Sequence, residues 1–159
     1  MGDIPSQGSG LGSSSTVTVG ALHAMYTLQR RLVTAEELAT QACRIEIDIL
    51  GKPIGIQDQY IAAYGGLRFF EFLPGTGEVR TTRIELDTST QRQLNHNLLL
   101  FYTGITRQAE TILSEQKDNI RSRAAVLGEM KALAYSACDE LSAGNVGAIG
   151  EILHESWLL

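Results

Sequence analysis

Three glycines at alternate positions, Gly8, Gly10 and Gly12, lead straight into four hydroxyl residues, Ser13 to Thr16. A largely apolar stretch, Val17 to Leu32, follows. Glycine adopts backbone shapes closed to other residues and lets an anion come close to the amides. A helix opening directly after such a loop aims N–H groups and the positive end of its dipole at the loop, which suits phosphate. Small hydroxyls in the first turn can donate to phosphate oxygens or ligate Mg²⁺. Two carboxylates further along are also candidates for chemistry. Glu46 lies at the edge of an apolar helical stripe, beside Ala42 and Leu50. A carboxylate there is either a solvated edge residue or a partly desolvated one that wants a cation or donors. Asp58 reads either as the cap of a short helix or as a functional acid.

The loop composition also fits a flexible Gly/Ser linker. Two common phosphate loops are excluded. The nucleoside-triphosphatase loop, G-x-x-x-x-G-K-[ST], needs a lysine that is missing here. The dinucleotide fingerprint is G-x-G-x-x-G after a strand, whereas the spacing here is G-x-G-x-G and Met1 to Gln7 are too few and too polar for a buried strand.

The elements that must position these residues follow from the pattern. Ser13 to Leu32 reads as a helix whose Val19, Leu22, Met25, Tyr26, Leu28 and Leu32 cover a wide arc, so burial on most sides is expected. Arg30 and Arg31 close it and suit the negative helix end. Thr34-Ala-Glu-Glu37 is a capping box. The second helix runs to about Leu50 with Leu38, Ala42, Ile45 and Ile49 as its stripe, and Gly51 and Pro53 stop it. Gln57-Asp58-Gln59 starts a short helix through Ala63.

Leu67–Leu73 and Glu78–Leu86 read as strands joined by Pro74-Gly-Thr-Gly77, with Phe69, Phe70 and Phe72 on a sheet face or in the core. Thr88–His96 is a short helix or extended turn, and Leu98–Tyr102 a buried strand. Thr103, Thr106 and Arg107 at its end either hold a substrate phosphate or cap the next helix. Ala109 to about Ser142 is helical with a break near Asp118, and Leu127, Met130, Leu133, Ala134, Ala137 and Leu141 form a packing stripe. Gly144 and Asn145 restart a last helix, with Asn145 as its N-cap.

At 159 residues the chain is one domain or part of one, and its net charge of -5 argues against a nucleic-acid partner. No run of about 18 apolar residues predicts a membrane span. Cys43 and Cys138 read as reduced core thiols of a cytoplasmic protein, and His23, His96 and His154 have no metal-ligand spacing.

Pro5-Ser-Gln-Gly-Ser-Gly-Leu-Gly-Ser-Ser-Ser15 resembles the second signature of the GHMP kinases, P-x-x-x-G-L-G-S-S-A-A. The core G-L-G-S-S matches at Gly10 to Ser14, with one extra residue after Pro5 and with Ser15-Thr16 in place of two alanines. Glu46, Gly51, Pro53, Gly55 and Asp58 resemble the helix glutamate and G-x-P-x-G-x-x-D of the galactokinase-like members. Ile45–Gly66, Leu98–Gly104 and Leu153–Leu159 are similar to the branch that acts on D-glycero-D-manno-heptose 7-phosphate.

The resemblance implies an α+β fold with a left-handed βαβ unit and part of a helical, ferredoxin-like second domain, divided as residues 1–87 and 88–159. It implies an ATP-dependent sugar kinase. Gly8, Ser9, Gly10, Leu11, Gly12, Ser13 and Ser14 would bind ATP, Ser14 and Glu46 would ligate Mg²⁺, and Asp58 would be the catalytic base. Gly65, Gly66, Thr103 and Arg107 are candidates for sugar or sugar-phosphate contacts. The family's first and third motifs are not in the sequence, so the chain reads as a central piece of such a kinase. A galactose- or fucose-type kinase, or a non-catalytic remnant, are the other readings.

Overall fold

The computed structural model describes residues 11–101, 120 and 122–159. They form two compact units that divide between Gly66 and Leu67. The fold is α+β, with helices and one small antiparallel sheet.

Among the described residues the first unit has three α-helices packed on one another: α1 (Ser13–Leu28), α2 (Ala35–Cys43) and α3 (Gln57–Tyr64). Val19 of α1 and Leu38 and Ala42 of α2 are its buried centre, with Leu22, Tyr26, Val33, Ala62 and Ala63 packed around them. Val19, Leu22 and Tyr26 share one helical face. Met25, Leu28 and Leu32 are exposed, so α1 is buried on one side and not on most sides as its composition suggests.

Helix α1 also ends earlier than Leu32. Arg30 takes a left-handed φ of 55°. The Arg31 N–H donates to the Tyr26 carbonyl at 2.9 Å and the Arg30 N–H to that of Thr27 at 3.0 Å. That is a Schellman stop with arginine where glycine is usual, so the sequence gives no glycine to mark it. The Arg31 guanidinium lies 5.0 Å from the centre of the Tyr26 ring, a cation–π contact that helps hold the stop.

The capping box forms as expected. The Glu37 N–H donates to Thr34 Oγ1 at 3.1 Å and the Thr34 N–H to Glu37 Oε2 at 2.9 Å. Past Cys43 the α2 axis continues as a π-helical turn, Arg44–Ile49, in which the Leu50 N–H donates to the Ile45 carbonyl at 2.9 Å. The wider turn advances each residue through a smaller angle. Glu46 therefore comes round into the buried face at 0% exposure, and Ile49 leaves the stripe at 66%.

In the second unit, β1 (Arg68–Phe72) pairs antiparallel with β2 (Val79–Arg83), Phe70 opposite Thr81. Asp87 caps α4 (Thr88–Asn97), accepting from the Ser89 N–H at 2.8 Å and the Thr90 N–H at 2.9 Å. Those bonds, and the two hydroxyls of Ser89 and Thr90, hold its carboxyl well below the usual range. Helices α5 (Ala124–Ser142) and α6 (Val146–Leu158) pack on each other. Phe69 meets Tyr135 of α5 edge to face at 5.0 Å, and the Tyr135 hydroxyl donates to Glu71 at 2.8 Å.

Three expectations for this unit change. Leu98 to Phe101 have no regular structure and are exposed, because no described strand offers them a ladder. Along α5 only Leu141 is buried, while Leu127 and Met130 are exposed. Asn145 stands at the N-cap position of α6, but its side chain donates to Glu140 Oε2 at 2.7 Å instead of capping. The stop before it is as expected, with Gly144 at φ 81°. The two cysteines are free and half-buried; burial first, then the Glu46 and Asp48 charges, push the Cys43 thiol up to about 11.

Candidate active site

Helix α1 opens at Gly12, whose φ of 66° is left-handed and which, as glycine, has no side chain to cap the helix. The first turn of such a helix carries amides without intrahelical acceptors and the positive dipole end. Thr16 turns its hydroxyl back onto the Gly12 carbonyl at 3.0 Å.

Two carboxylates bracket this turn. Asp58, in the first turn of α3, lies so close to Gly12 that a Cβ there would sit 3.4 Å from its Cγ and Oδ2. A cleft of about 300 Å³ opens at this point, lined by Leu11, Gly12, Thr16, Asp58, Ile61 and Ala62. Gly12→Ala is expected to cost about 1–2 kcal/mol in urea unfolding, the usual penalty for a Cβ in a left-handed residue. A variant as stable as the wild type would show that this turn does not demand glycine.

Glu46 is the second carboxylate, and it is the hub of a buried network. Ser14 Oγ donates to its Oε1 at 2.5 Å, and the Lys52 ammonium approaches the same oxygen at 3.3 Å. Ser15 Oγ donates to Oε2 at 2.7 Å and Gln59 Nε2 at 2.6 Å. Lys52 Nζ also donates to Ser14 Oγ at 2.7 Å. Burial pushes the Glu46 carboxyl up, but the four donors Ser14, Ser15, Gln59 and Lys52 together hold it below the ordinary value. It is therefore a charged carboxylate in a dry place, and its charge is answered on every side.

Residues 1–66 match the family model described as GHMP kinases N terminal domain. Over this span the chain is similar to the N-terminal domain of the GHMP kinases. It is 32% identical over 157 residues to the D-glycero-alpha-D-manno-heptose 7-phosphate kinase of Campylobacter jejuni, covering 98% of this chain and 46% of that protein. It is 29% identical over 157 residues to the L-fucokinase/L-fucose-1-P guanylyltransferase of Bacteroides fragilis, with 94% of this chain and 16% of that protein covered. A galactokinase of Pyrococcus furiosus is 29% identical over 129 residues, covering 80% of this chain and 34% of that protein. The chain thus spans less than half the length of each of these relatives.

Within the matched span the structure brings Ser14 and Glu46 together, and sets Gly12 and Asp58 side by side. Gly65 and Gly66 end α3 with φ of 62° and 73° and do not line the cleft. Gly8, Ser9, Gly10, Thr103, Thr106 and Arg107 lie outside the described residues.

Three members of the network escape a reading of the sequence. Ser15, counted there among the phosphate-facing hydroxyls, is 3% exposed and bonds Glu46. Its place four residues before Val19 puts it on the buried face of α1, a signal the helical period does carry. Gln59, beside Asp58, is fully buried, and its Oε1 has no partner among the described residues. Lys52 stands in the turn after the π segment, where nothing in the pattern points it back at Glu46.

Among the described residues no group of three or more His, Cys, Asp or Glu could hold a metal ion, and no helix is long and apolar enough to cross a membrane. Ser14 Oγ and Glu46 Oε1 nevertheless converge on one cation, the Lys52 ammonium. Two hard oxygens suit a Mg²⁺ that takes its remaining ligands from water and phosphate.

Proposed function

We propose that the domain binds Mg-ATP at the first turn of α1 and transfers the γ-phosphoryl group to a sugar hydroxyl. The observation that carries this reading is the pair of carboxylates about that turn, Glu46 bonded to Ser14 and Asp58 packed on Gly12. A helix N-terminus favours phosphate, and a pair of carboxylates there allows one to serve a cation and the other a proton.

The roles divide by environment. The loop from Gly8 to Gly12 and the first-turn residues Ser13 and Ser14 would cradle the ATP phosphates. Ser14 and Glu46 would hold Mg²⁺, which when bound neutralises charge on the β- and γ-phosphate oxygens. Asp58, half-buried at the cleft and free of the Glu46 network, accepts the proton of the sugar hydroxyl. The hydroxyl oxygen then bonds to the γ-phosphorus as the bond to the β-phosphate oxygen breaks and ADP leaves. Most of the rate enhancement is positioning and charge stabilisation.

The substrate we propose is D-glycero-D-manno-heptose 7-phosphate, phosphorylated at its anomeric hydroxyl. The Campylobacter relative, a D-glycero-alpha-D-manno-heptose 7-phosphate kinase, supports it, together with coverage of nearly the whole of this chain. Gly65, Gly66, Thr103 and Arg107 remain the proposed sugar-side contacts. The fucokinase and galactokinase relatives favour an unphosphorylated sugar as the second reading. A panel of sugars and sugar phosphates assayed with Mg-ATP separates the two. Preference for the heptose phosphate supports the first, and preference for fucose or galactose rejects it.

A further inference from the structure

We infer that Lys52 is a built-in counter-ion for the Ser14–Glu46 pair, and that a divalent cation loads the site by displacing its ammonium. The inference rests on the reading that this pair holds the metal.

The geometry gives Lys52 the position a bound cation needs. Its Nζ is 2.7 Å from Ser14 Oγ and 3.3 Å from Glu46 Oε1. The other carboxylate oxygen, Oε2, already accepts from Ser15 and Gln59, so Oε1 is the one that faces a cation. A Mg²⁺ bonded to the same two oxygens at about 2.0–2.1 Å would occupy the space beside the ammonium. Two positive charges that close repel each other.

The lysine is also placed to move. Its N–H donates to the Glu46 carbonyl at 3.0 Å, so its backbone is fixed to the end of the π turn. Its side chain is 27% exposed, while that of Glu46 is fully buried. Rotation of the lysine side chain alone takes the ammonium into solvent. Without metal, the lysine spares the domain an unpaired buried carboxylate, a costly state for a protein interior.

This arrangement has a thermodynamic signature. A site open to metal for only a fraction of the time binds it more weakly by that same fraction. Removing the lysine removes the competitor and makes the site more negative, and both changes act in the same direction.

The test is calorimetric titration of Mg²⁺ alone, without nucleotide, into the full chain and into Lys52→Met. The expected result is about tenfold tighter binding in the variant, as for a site whose open state is about one-tenth populated. Equal or weaker binding in the variant overturns the role of Lys52 and leaves the metal reading standing. No binding to either protein overturns both. A second measurement uses the wild type and does not depend on the variant folding. Acetylation of Lys52 by an amine reagent, followed by peptide mass spectrometry, is expected to speed up severalfold when Mg²⁺ is added. A rate that Mg²⁺ leaves unchanged or lowers overturns the inference.

Discussion

Asp58→Asn is expected to lower turnover by about 10²–10⁴-fold, the range for loss of a general base. Asparagine keeps the size of the side chain and its contact with Gly12, so the cleft keeps its shape while the proton acceptor goes. Among the described residues Glu46 takes its hydrogen bonds from Ser14, Ser15, Gln59 and Lys52 and not from Asp58, so Mg-ATP binding should be retained. Steady-state kinetics with Mg-ATP and the heptose phosphate, beside nucleotide binding to the same variant, give both numbers. Turnover within a factor of a few of the wild type removes Asp58 from the role of base. Loss of nucleotide binding in step with turnover makes it a structural residue of the cleft instead.

The second large effect is on stability. Glu46→Ala is expected to cost roughly 2–6 kcal/mol, as when two buried donors lose their shared acceptor. Two effects compete. Deleting a buried carboxylate relieves its desolvation, which alone would stabilise the domain. Deleting the acceptor strands the donors of Ser15 and Gln59, which are buried and cannot turn to water, at about 1–3 kcal/mol each. The cavity left by the side chain adds to the loss, so destabilisation wins. Lys52 adds little, because its partly exposed ammonium can find water. Against a total stability of about 5–15 kcal/mol, the loss is a large fraction. Urea unfolding with an unchanged m value measures it. A loss below about 1 kcal/mol would show that the network is not organised by Glu46.

What the sequence reveals here depends on whether the signal is local. The Thr34–Glu37 capping box and the stop at Gly144 each need only a few neighbouring residues, and both are legible. The hairpin is legible too, because aromatic and β-branched residues flank a turn that holds two glycines. The candidate site was legible at Gly12, Ser14, Glu46 and Asp58 through their resemblance to a known pattern. Physical reasoning on the residues alone left Glu46 and Asp58 open between surface and functional roles.

The features that were missed depend on geometry that a periodic pattern hides. A π turn has no residue signature, so Glu46 reads as an edge residue when it is fully buried. The same turn carries Lys52 back onto Ser14 across 38 positions of sequence, a contact beyond any local rule. The end of α1 was misplaced because arginine, not glycine, takes the left-handed position. The apolar run Leu98–Phe101 has strand composition, but composition cannot supply a hydrogen-bonding neighbour.

The central claim is that the first turn of α1, with Ser14 and Glu46, holds a metal-bound nucleotide. Thermal unfolding of the chain with and without Mg-ATP tests it most directly. At a hundred times the dissociation constant, binding to the native state alone adds about 2.7 kcal/mol. In a chain of this size that raises the midpoint by roughly 5–10 °C. The account predicts that rise in the wild type and its loss in Ser14→Ala. A cooperative melt that Mg-ATP does not move, or a rise that Ser14→Ala keeps in full, would contradict it.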